Sequence, residues 1–253
     1  MTTRTARRVE PMLVRSWNLF HGNTLPPGRR AYLREMVELV TVDRPDVLCL
    51  QEVPGWALGR LGGWTGMTEV PVVTKRPSVG PLSVPAAIGR ALTAPHHGLI
   101  RSAFAGQGNA ILLAPGLEVV ATGTLRLPSI QGKEPRVAQR VELELPSGGS
   151  AVVVNVHCTN VETEADVELA LALAWALDGA GNALVVVAGD FNVAPERSGA
   201  LGAVARLFSA PIPGSIDQVL VGGAPSVTRV WAPEEREYGG RLLSDHAPVE
   251  AQT

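Results

Sequence analysis

Short apolar runs dominate the pattern of hydrophobic and polar positions along this 253-residue chain. Alternating or continuously apolar runs bounded by turn residues predict β-strands. The predicted strands are MLVRSWN, PDVLCLQE, NAILLAP, LEVVATGTLRL, RVAQRVELEL, SAVVVNVH, ALVVVAGDFN, SIDQVLV, SVTRVWA and a last one entered through SDHAPVEA. The segment PSGGS, which joins two of these strands, is typical of a hairpin turn.

Helical periodicity is rarer along the chain. One stripe consists of Leu33, Met36, Val37 and Val40. Another helix is predicted to start near Thr159 and Glu162, which have capping-box spacing, and short helices are predicted near 86–92 and 200–208. Five prolines make the remainder of 66–106 mostly irregular. Because strand-to-strand successions outnumber strand–helix alternations, the pattern predicts an α+β fold, a mixed-sheet sandwich with helices outside.

Composition and length set the broad class of the protein. A hydrophobic content of 45% supports a sizeable core, so we expect a single domain over residues 11–253 after an N-terminal tail, residues 1–10. The sequence has no apolar run of membrane-spanning length and its start lacks the apolar centre of a signal peptide, which predicts no transmembrane segment and a cytoplasmic location. Cys49 is expected in the core. No pattern indicates an obligate protein partner.

Charge is nearly balanced overall but not locally. The net charge of −2 and pI near 6.2 argue against a protein that coats nucleic acid by bulk electrostatics. The basic segment, residues 53–117, has one acid against five basic residues: Glu69 against Arg60, Lys75, Arg76, Arg90 and Arg101. Two readings stay open: the basic segment faces a phosphate-bearing ligand, or it is a solvated, proline-rich excursion.

Polar residues able to bind a metal or move a proton recur at the ends of the predicted strands. They are Asn18, Glu52, His157, Asp190 with Asn192, Asp217, and Asp245 with His246. A single strand-end carboxylate is usually a turn former, but six separated sites are hard to attribute to turns. Carboxylate and amide oxygens without a Cys or His cluster suit Mg²⁺ or Mn²⁺. Either histidine alone could be a core residue, whereas His246 beside Asp245 and near Asp217 suits an oriented base.

The motifs SWN, LQE, NVH, GDFN, ID and SDHAPV, in this order over residues 16–249, resemble the endonuclease/exonuclease/phosphatase superfamily, also called DNase-I-like. The resemblance implies a four-layer α/β/β/α sandwich of two mixed β-sheets with an active site at one end. It also implies a metal-dependent hydrolase that acts on ester bonds of phosphoric acid.

The resemblance implies a role for each matching residue. Glu52 is the principal Mg²⁺ ligand, assisted by Asn18 and Asp245. Asp190 and Asn192 lie at the attacking water and the scissile phosphate, the carboxylate aligning or deprotonating the water and the amide donating to a phosphate oxygen. Asp217 orients His246, and His157 contacts phosphate or the leaving group. Asn160 touches phosphate or caps the following helix. Arg136 binds substrate, with Arg140 as the alternative for this role.

These roles predict an Mg²⁺-dependent phosphoesterase, with Mn²⁺ as the alternative ion, that hydrolyses a phosphodiester by in-line attack of activated water. The expected partner is a phosphate-ester substrate, with nucleic acid as one form, although 4% aromatic content argues against extensive base stacking. Alternatives are a phosphatase or a phospholipid or sphingomyelin-type phosphodiesterase, for which VGPLSVPAAIGRALTAP would be the amphipathic element. A catalytically silent binding module ranks lower. His21 either lines the mouth of the site or lies on the surface.

Overall fold

Two mixed β-sheets packed face to face form the centre of the computed structural model. The structure describes residues 11–79, 82–94, 96–97, 104–128, 136–146 and 148–253. The predicted tail, residues 1–10, and Arg101 of the basic segment lie outside the described residues.

The first sheet has six strands, in the order β13-β16-β1-β3-β7-β4. The strands are β1 Leu13–Asn18, β3 Val47–Pro54, β4 Thr68–Lys75, β7 Gln107–Leu113, β13 Val227–Val230 and β16 Val249–Gln252. Only β1 and β3 pair in parallel among these neighbours, and all the other pairings are antiparallel. The sheet is therefore mixed, as predicted.

The second sheet has five strands, in the order β12-β11-β10-β9-β8. The strands are β8 Glu118–Arg126, β9 Val137–Glu144, β10 Ser150–His157, β11 Leu184–Asp190 and β12 Asp217–Gly222. The β10–β11 pair is parallel and the rest are antiparallel. Shorter strands form two small sheets, β14-β15-β2 and β5-β6: β2 Thr24–Leu25, β5 Ser78–Val79, β6 Leu82–Ser83, β14 Glu237–Tyr238 and β15 Arg241–Leu243.

Helices cover the outer faces of the two large sheets. These are α1 Leu33–Val40, α2 Leu61–Thr65, α4 Glu162–Leu177 and α5 Gly199–Val204, and a further helix, α3 Ala86–Thr93, lies between β6 and β7 in the chain. One core packs α1 and α2 on the first sheet, another packs α4 and α5 on the second, and a third fills the space between the sheets. Three stacked cores confirm the predicted four-layer sandwich. No helix among the described residues has the length and apolarity required to cross a membrane.

The core between the sheets changes from apolar to polar towards one end. Inward positions of β3 and β10 begin with buried apolar residues such as Cys49 and Val153 and continue with Gln51 and Asn155. Gln51 Nε2 donates to Asn155 Oδ1 over 2.8 Å and to Ser16 Oγ over 3.1 Å. Buried amides cost free energy unless they are hydrogen-bonded, so this bridge fixes the two sheets to one another at the polar end.

Two local predictions were wrong. Residues 68–75, expected to be irregular, form the eight-residue edge strand β4, because proline is tolerated at a sheet edge and Pro71 therefore does not stop the strand. The capping box at Thr159 and Glu162 is also wrong: α4 starts at Glu162, its N-cap residue is Val161, and the backbone N–H of Thr159 donates to Glu168 in the helix interior. The short helices are confirmed at 86–93 and, shortened, at 199–204.

Candidate active site

Four strands each place a terminal inward-facing residue at the polar end of the sandwich: the last residue of β1, β10 and β11 and the first residue of β12. The residues are Asn18, His157, Asp190 and Asp217. The period of two along a strand produces this arrangement, because the neighbouring inward positions of each strand belong to the core between the sheets or to its polar end. His157 pairs with Asp190 across β10 and β11, and Asp190 pairs with Asp217 across β11 and β12. Strand register thus brings three predicted site residues side by side.

His246 and Asp217 form a hydrogen-bonded pair, with His246 Nδ1 donating to Asp217 Oδ2 over 2.8 Å. The loop carrying His246 is fixed by Trp17 Nε1, which donates to the His246 carbonyl, and by Ser244 Oγ, which donates to the Asn18 carbonyl. Burial lowers the pKa of His246, but the hydrogen bond and charge of Asp217 outweigh it and raise the pKa to about 10. The free Nε2 of His246 points towards Asp190, 3.9 Å from Oδ2.

Asp190 lies at the centre of the site. Its Oδ2 accepts a hydrogen bond from Asn18 Nδ2 at 3.0 Å and is 3.5 Å from His157 Nε2. Burial and the negative charge of Asp217 raise the pKa of Asp190 to about 7. The Asn192 backbone N–H donates to Asp190 Oδ1, and Asn192 Nδ2 donates to the Cys158 carbonyl, so Asn192 connects the loops that follow β10 and β11.

Arg136 extends the site beside His157. Its Nη1 donates to His157 Nδ1 over 3.1 Å, and burial, with the charge of Arg136, lowers the pKa of His157 well below its usual range. Arg136 Nε is buried and has no hydrogen-bond partner in the part of the chain that the structure describes. A guanidinium N–H in this state can donate to an anionic ligand.

Glu52 belongs to the first sheet and reaches the polar end of the sandwich through a bulge in β3. Pairing of β3 with β7 shifts between Leu50 and Val53, and Glu52 has a φ of 52°. Its Oε1 lies 3.9 Å from His157 Nε2 and its Oε2 lies 3.2 Å from His21 Nε2. Burial raises the pKa of Glu52, and the negative charge of Asp245 acts in the same direction. The carboxylates of Glu52 and Asp245 therefore repel one another, and the groups around them offset this repulsion only in part.

The donors around Glu52 fit a hard divalent cation. Glu52, Asn18 and Asp245 supply carboxylate and amide oxygens, and the mutual repulsion of the two acids would be relieved by a positive ion. A second acidic group is formed by Asp190, Asp217 and His246, whose atoms lie within 4.8 Å of one another. In that group the hydrogen bond between Asp217 and His246 occupies Nδ1, which suits proton transfer better than metal binding.

Backbone strain is concentrated at the site. Six non-glycine residues among those described have positive φ, and five of them belong to the site or its loops: Phe20, His21, Glu52, Asn192 and Ser244. Each left-handed residue costs on the order of 1–3 kcal/mol and persists only where the surroundings enforce it. The sequence gives no sign of these conformations. For His21, which the sequence places either at the mouth of the site or on the surface, the surface alternative is wrong, because its side chain is buried at 5% exposure and lies 3.2 Å from Glu52.

Arg140 and Asn160, two further candidates from the sequence, do not lie with the residues that converge at the polar end of the sandwich. Arg140 Nη1 donates to the carbonyls of Trp175 and Asp178, at the end of α4, so Arg140 stabilises the helix rather than the site. Asn160 is exposed, and because Val161 is the N-cap of α4 the capping alternative for Asn160 is wrong. Its substrate contact stays a prediction.

Solved structures with this fold include proteins described as endonuclease/exonuclease/phosphatase and as TDP2. An endonuclease/exonuclease/phosphatase from Beutenbergia cavernae has a TM-score of 0.69 at 18% identity, covering 96% of this chain and 71% of its own. The endonuclease/exonuclease/phosphatase from Bacteroides vulgatus has a TM-score of 0.68 at 16% identity, covering 96% and 98%. TDP2 from Caenorhabditis elegans has a TM-score of 0.62 at 17% identity, covering 96% and 74%. A comparison with curated proteins finds no match.

The fold and the family match are those of a phosphoesterase-type hydrolase. The model of the Endonuclease/Exonuclease/phosphatase family matches residues 16–246, and the chain belongs to this family. The matched range extends from the strand that carries Asn18 to His246 in the last loop of the site.

Proposed function

We propose that the protein is a divalent-metal-dependent phosphodiesterase that hydrolyses its substrate by in-line attack of water. The observation that supports the proposal most directly is the convergence of carboxylate, amide and imidazole groups from both sheets on one end of the sandwich. Asp190 is the shared neighbour of Asn18, His157 and His246 within 3.0 to 3.9 Å. Such a set of groups can activate water and offset negative charge on a phosphoryl group.

In this proposal each side chain has one task. Asp190 orients the water and accepts its proton, since its pKa of about 7 suits proton uptake at neutral pH. His246, held by Asp217, donates through Nε2 to a phosphoryl oxygen. Arg136 and His157 bind the phosphate from the opposite side. Asn192 donates to a phosphate oxygen after releasing the Cys158 carbonyl.

A divalent cation, Mg²⁺ or Mn²⁺, would be held by Glu52, Asn18 and Asp245 and would supply electrophilic assistance to the reacting phosphate. Within the protein, Asn18 connects the two halves of the site, because its Nδ2 donates to Asp190 while its Oδ1 accepts the Phe20 N–H.

A phospholipid phosphodiesterase is the second candidate, and one surface feature favours it. Leu82, Ile88 and Leu92 on β6 and α3 are 70%, 47% and 40% exposed, and Arg90 lies on the same helix. Exposed apolar residues beside a cation are the pattern of an element that touches a lipid surface. Comparing plasmid DNA, single-stranded RNA, an inositol phosphate and sphingomyelin as substrates would separate the two candidates.

Metal dependence is tested with bis-p-nitrophenyl phosphate. Wild-type hydrolysis is expected with Mg²⁺ or Mn²⁺ and is expected to stop with EDTA, and Glu52→Gln should lower kcat/KM by at least about 100-fold, because a neutral amide replaces the main anionic ligand. Glu118→Gln, on the exposed start of β8, is the matched control and should leave the rate unchanged. Hydrolysis that survives both EDTA and Glu52→Gln would contradict the proposal.

Arg136 and Arg140 form a pair of substitutions with opposite expected effects. Arg136→Ala should lower kcat/KM by about 10²-fold with little change in stability, since it removes a donor aimed at the anionic substrate. Arg140→Ala should keep the rate and lower the free energy of unfolding by about 1–3 kcal/mol, since it removes charged hydrogen bonds to two α4 carbonyls. Steady-state kinetics and urea denaturation measure both quantities, and the reverse pattern would refute the assignment.

A further inference from the structure

His21 is a second imidazole at the Glu52 carboxylate, and none of the roles above uses it. It follows β1 in the loop that starts at Leu19, and its side chain is buried. Its Nε2 lies 3.2 Å from Glu52 Oε2, closer than His157 Nε2 lies to Glu52 Oε1, at 3.9 Å. The nearest described imidazole to the principal candidate metal ligand is therefore His21.

Several contacts and torsions constrain the backbone of the loop at His21. Phe20 and His21 both have left-handed backbone, with φ of 48° and 56°. His97 Nε2 donates to the His21 carbonyl over 2.7 Å, and the Gly22 N–H donates to the Leu19 carbonyl over 2.7 Å. Two consecutive strained residues are maintained only where surrounding contacts outweigh their cost. An imidazole on a constrained backbone that lies 3.2 Å from a largely buried carboxylate is a pre-organised arrangement.

We propose that His21 Nε2 is a direct nitrogen ligand to the divalent ion that Glu52 holds, and that the site consequently prefers a first-row transition ion to Mg²⁺. This inference rests on the proposed metal-dependent function. Two ligand atoms bound at right angles, each about 2.1 Å from an ion, lie about 3 Å apart. The separation of 3.2 Å between His21 Nε2 and Glu52 Oε2 is close to that spacing.

The predicted preference follows from ligand chemistry. Mg²⁺ takes oxygen ligands almost exclusively, whereas imidazole is a good ligand for transition ions. Adding one nitrogen to the oxygens of Glu52, Asn18 and Asp245 therefore strengthens binding of a transition ion more than binding of Mg²⁺. Among the first-row transition ions Mn²⁺ binds a given set of ligands most weakly, so a preference for Mn²⁺ over Mg²⁺ is the most demanding test of this inference.

The test compares His21→Asn with wild type in Mg²⁺ and Mn²⁺ titrations by calorimetry. Asn tolerates left-handed backbone and keeps a polar group near Glu52 while removing the imidazole. Mn²⁺ affinity is expected to fall at least about tenfold and Mg²⁺ affinity to change less than about threefold. His21→Gly, which also tolerates positive φ, controls for the new amide, and circular dichroism checks that both variants fold.

Pulsed electron paramagnetic resonance of the Mn²⁺-loaded wild type supplies a readout independent of any variant. A ¹⁴N coupling is expected in wild type, retained in His157→Gln and absent in His21→Asn. Mn²⁺ binding without a nitrogen coupling, or equal losses for the two ions in His21→Asn, would show that His21 only positions Glu52 and would overturn this inference alone. Failure of wild type to bind either ion would overturn the proposed function as well.

Discussion

His246→Asn is expected to lower kcat on a phosphodiester by about 10²–10⁴-fold while the protein stays folded. His246 Nδ1 donates to Asp217 over 2.8 Å and the ring is partly accessible, so its loss removes the donor at Nε2 without opening a large core cavity. Steady-state kinetics with bis-p-nitrophenyl phosphate and thermal melting measure the two properties side by side.

The hydrogen-bonded pair of His246 and Asp217 also predicts how the effects of the two substitutions on kcat combine. Asp217→Asn should cause a loss of similar size, because an amide no longer fixes the imidazole in the orientation that leaves Nε2 towards Asp190. If Asp217 acts through His246, the double variant should be no more than about threefold slower than His246→Asn alone. Losses that multiply in the double variant would mean that Asp217 has an independent role, and the assigned dyad would be wrong.

Gly189→Ala is expected to abolish folding or to lower the free energy of unfolding by more than about 4 kcal/mol. Gly189 has a φ of 145°, and a Cβ atom at this position would lie 1.8 Å from the Val156 carbonyl oxygen. Val156 is its partner in the parallel β10–β11 ladder, so the clash is with backbone and cannot be relieved by a side-chain rotation.

Gly202→Ala is the matched control for this substitution. Gly202 lies in α5, and a Cβ there meets no atom within 4 Å, so alanine should be neutral or stabilise by up to about 1 kcal/mol. Soluble yield and urea denaturation compare the two variants. A Gly189→Ala protein with wild-type stability would contradict the described β10–β11 contact.

Strand periodicity predicted which strand-end side chains the structure brings together. In β11 the apolar inward row leads directly to Asp190, and in β10 it leads through Asn155 to His157, so a strand-end residue with the right chemistry is visible as the last member of a core-facing row. The four-layer fold was predictable because the pattern has many consecutive strands and few helices. Two stacked sheets with helices on their outer faces are one of the few arrangements that bury the apolar faces of such a set.

Residues outside this periodicity were harder to place. Glu52 reaches the site only through the β3 bulge, and His21 only through two consecutive left-handed residues, Phe20 and His21, which are not glycines. Arg136 and Arg140 are four residues apart and look equivalent, but Arg136 precedes β9 and is not bound by its alternation. Arg140, inside the strand, faces α4.

The edge position of β4 has a consequence for the behaviour of the protein at high concentration. The outer edge of a sheet offers unpaired N–H and C=O groups to which another chain can add. Proline on an edge strand is one of the features that discourage such pairing, and Pro71 lies midway along β4. The residue that concealed this strand from prediction thus also protects the sheet against intermolecular aggregation.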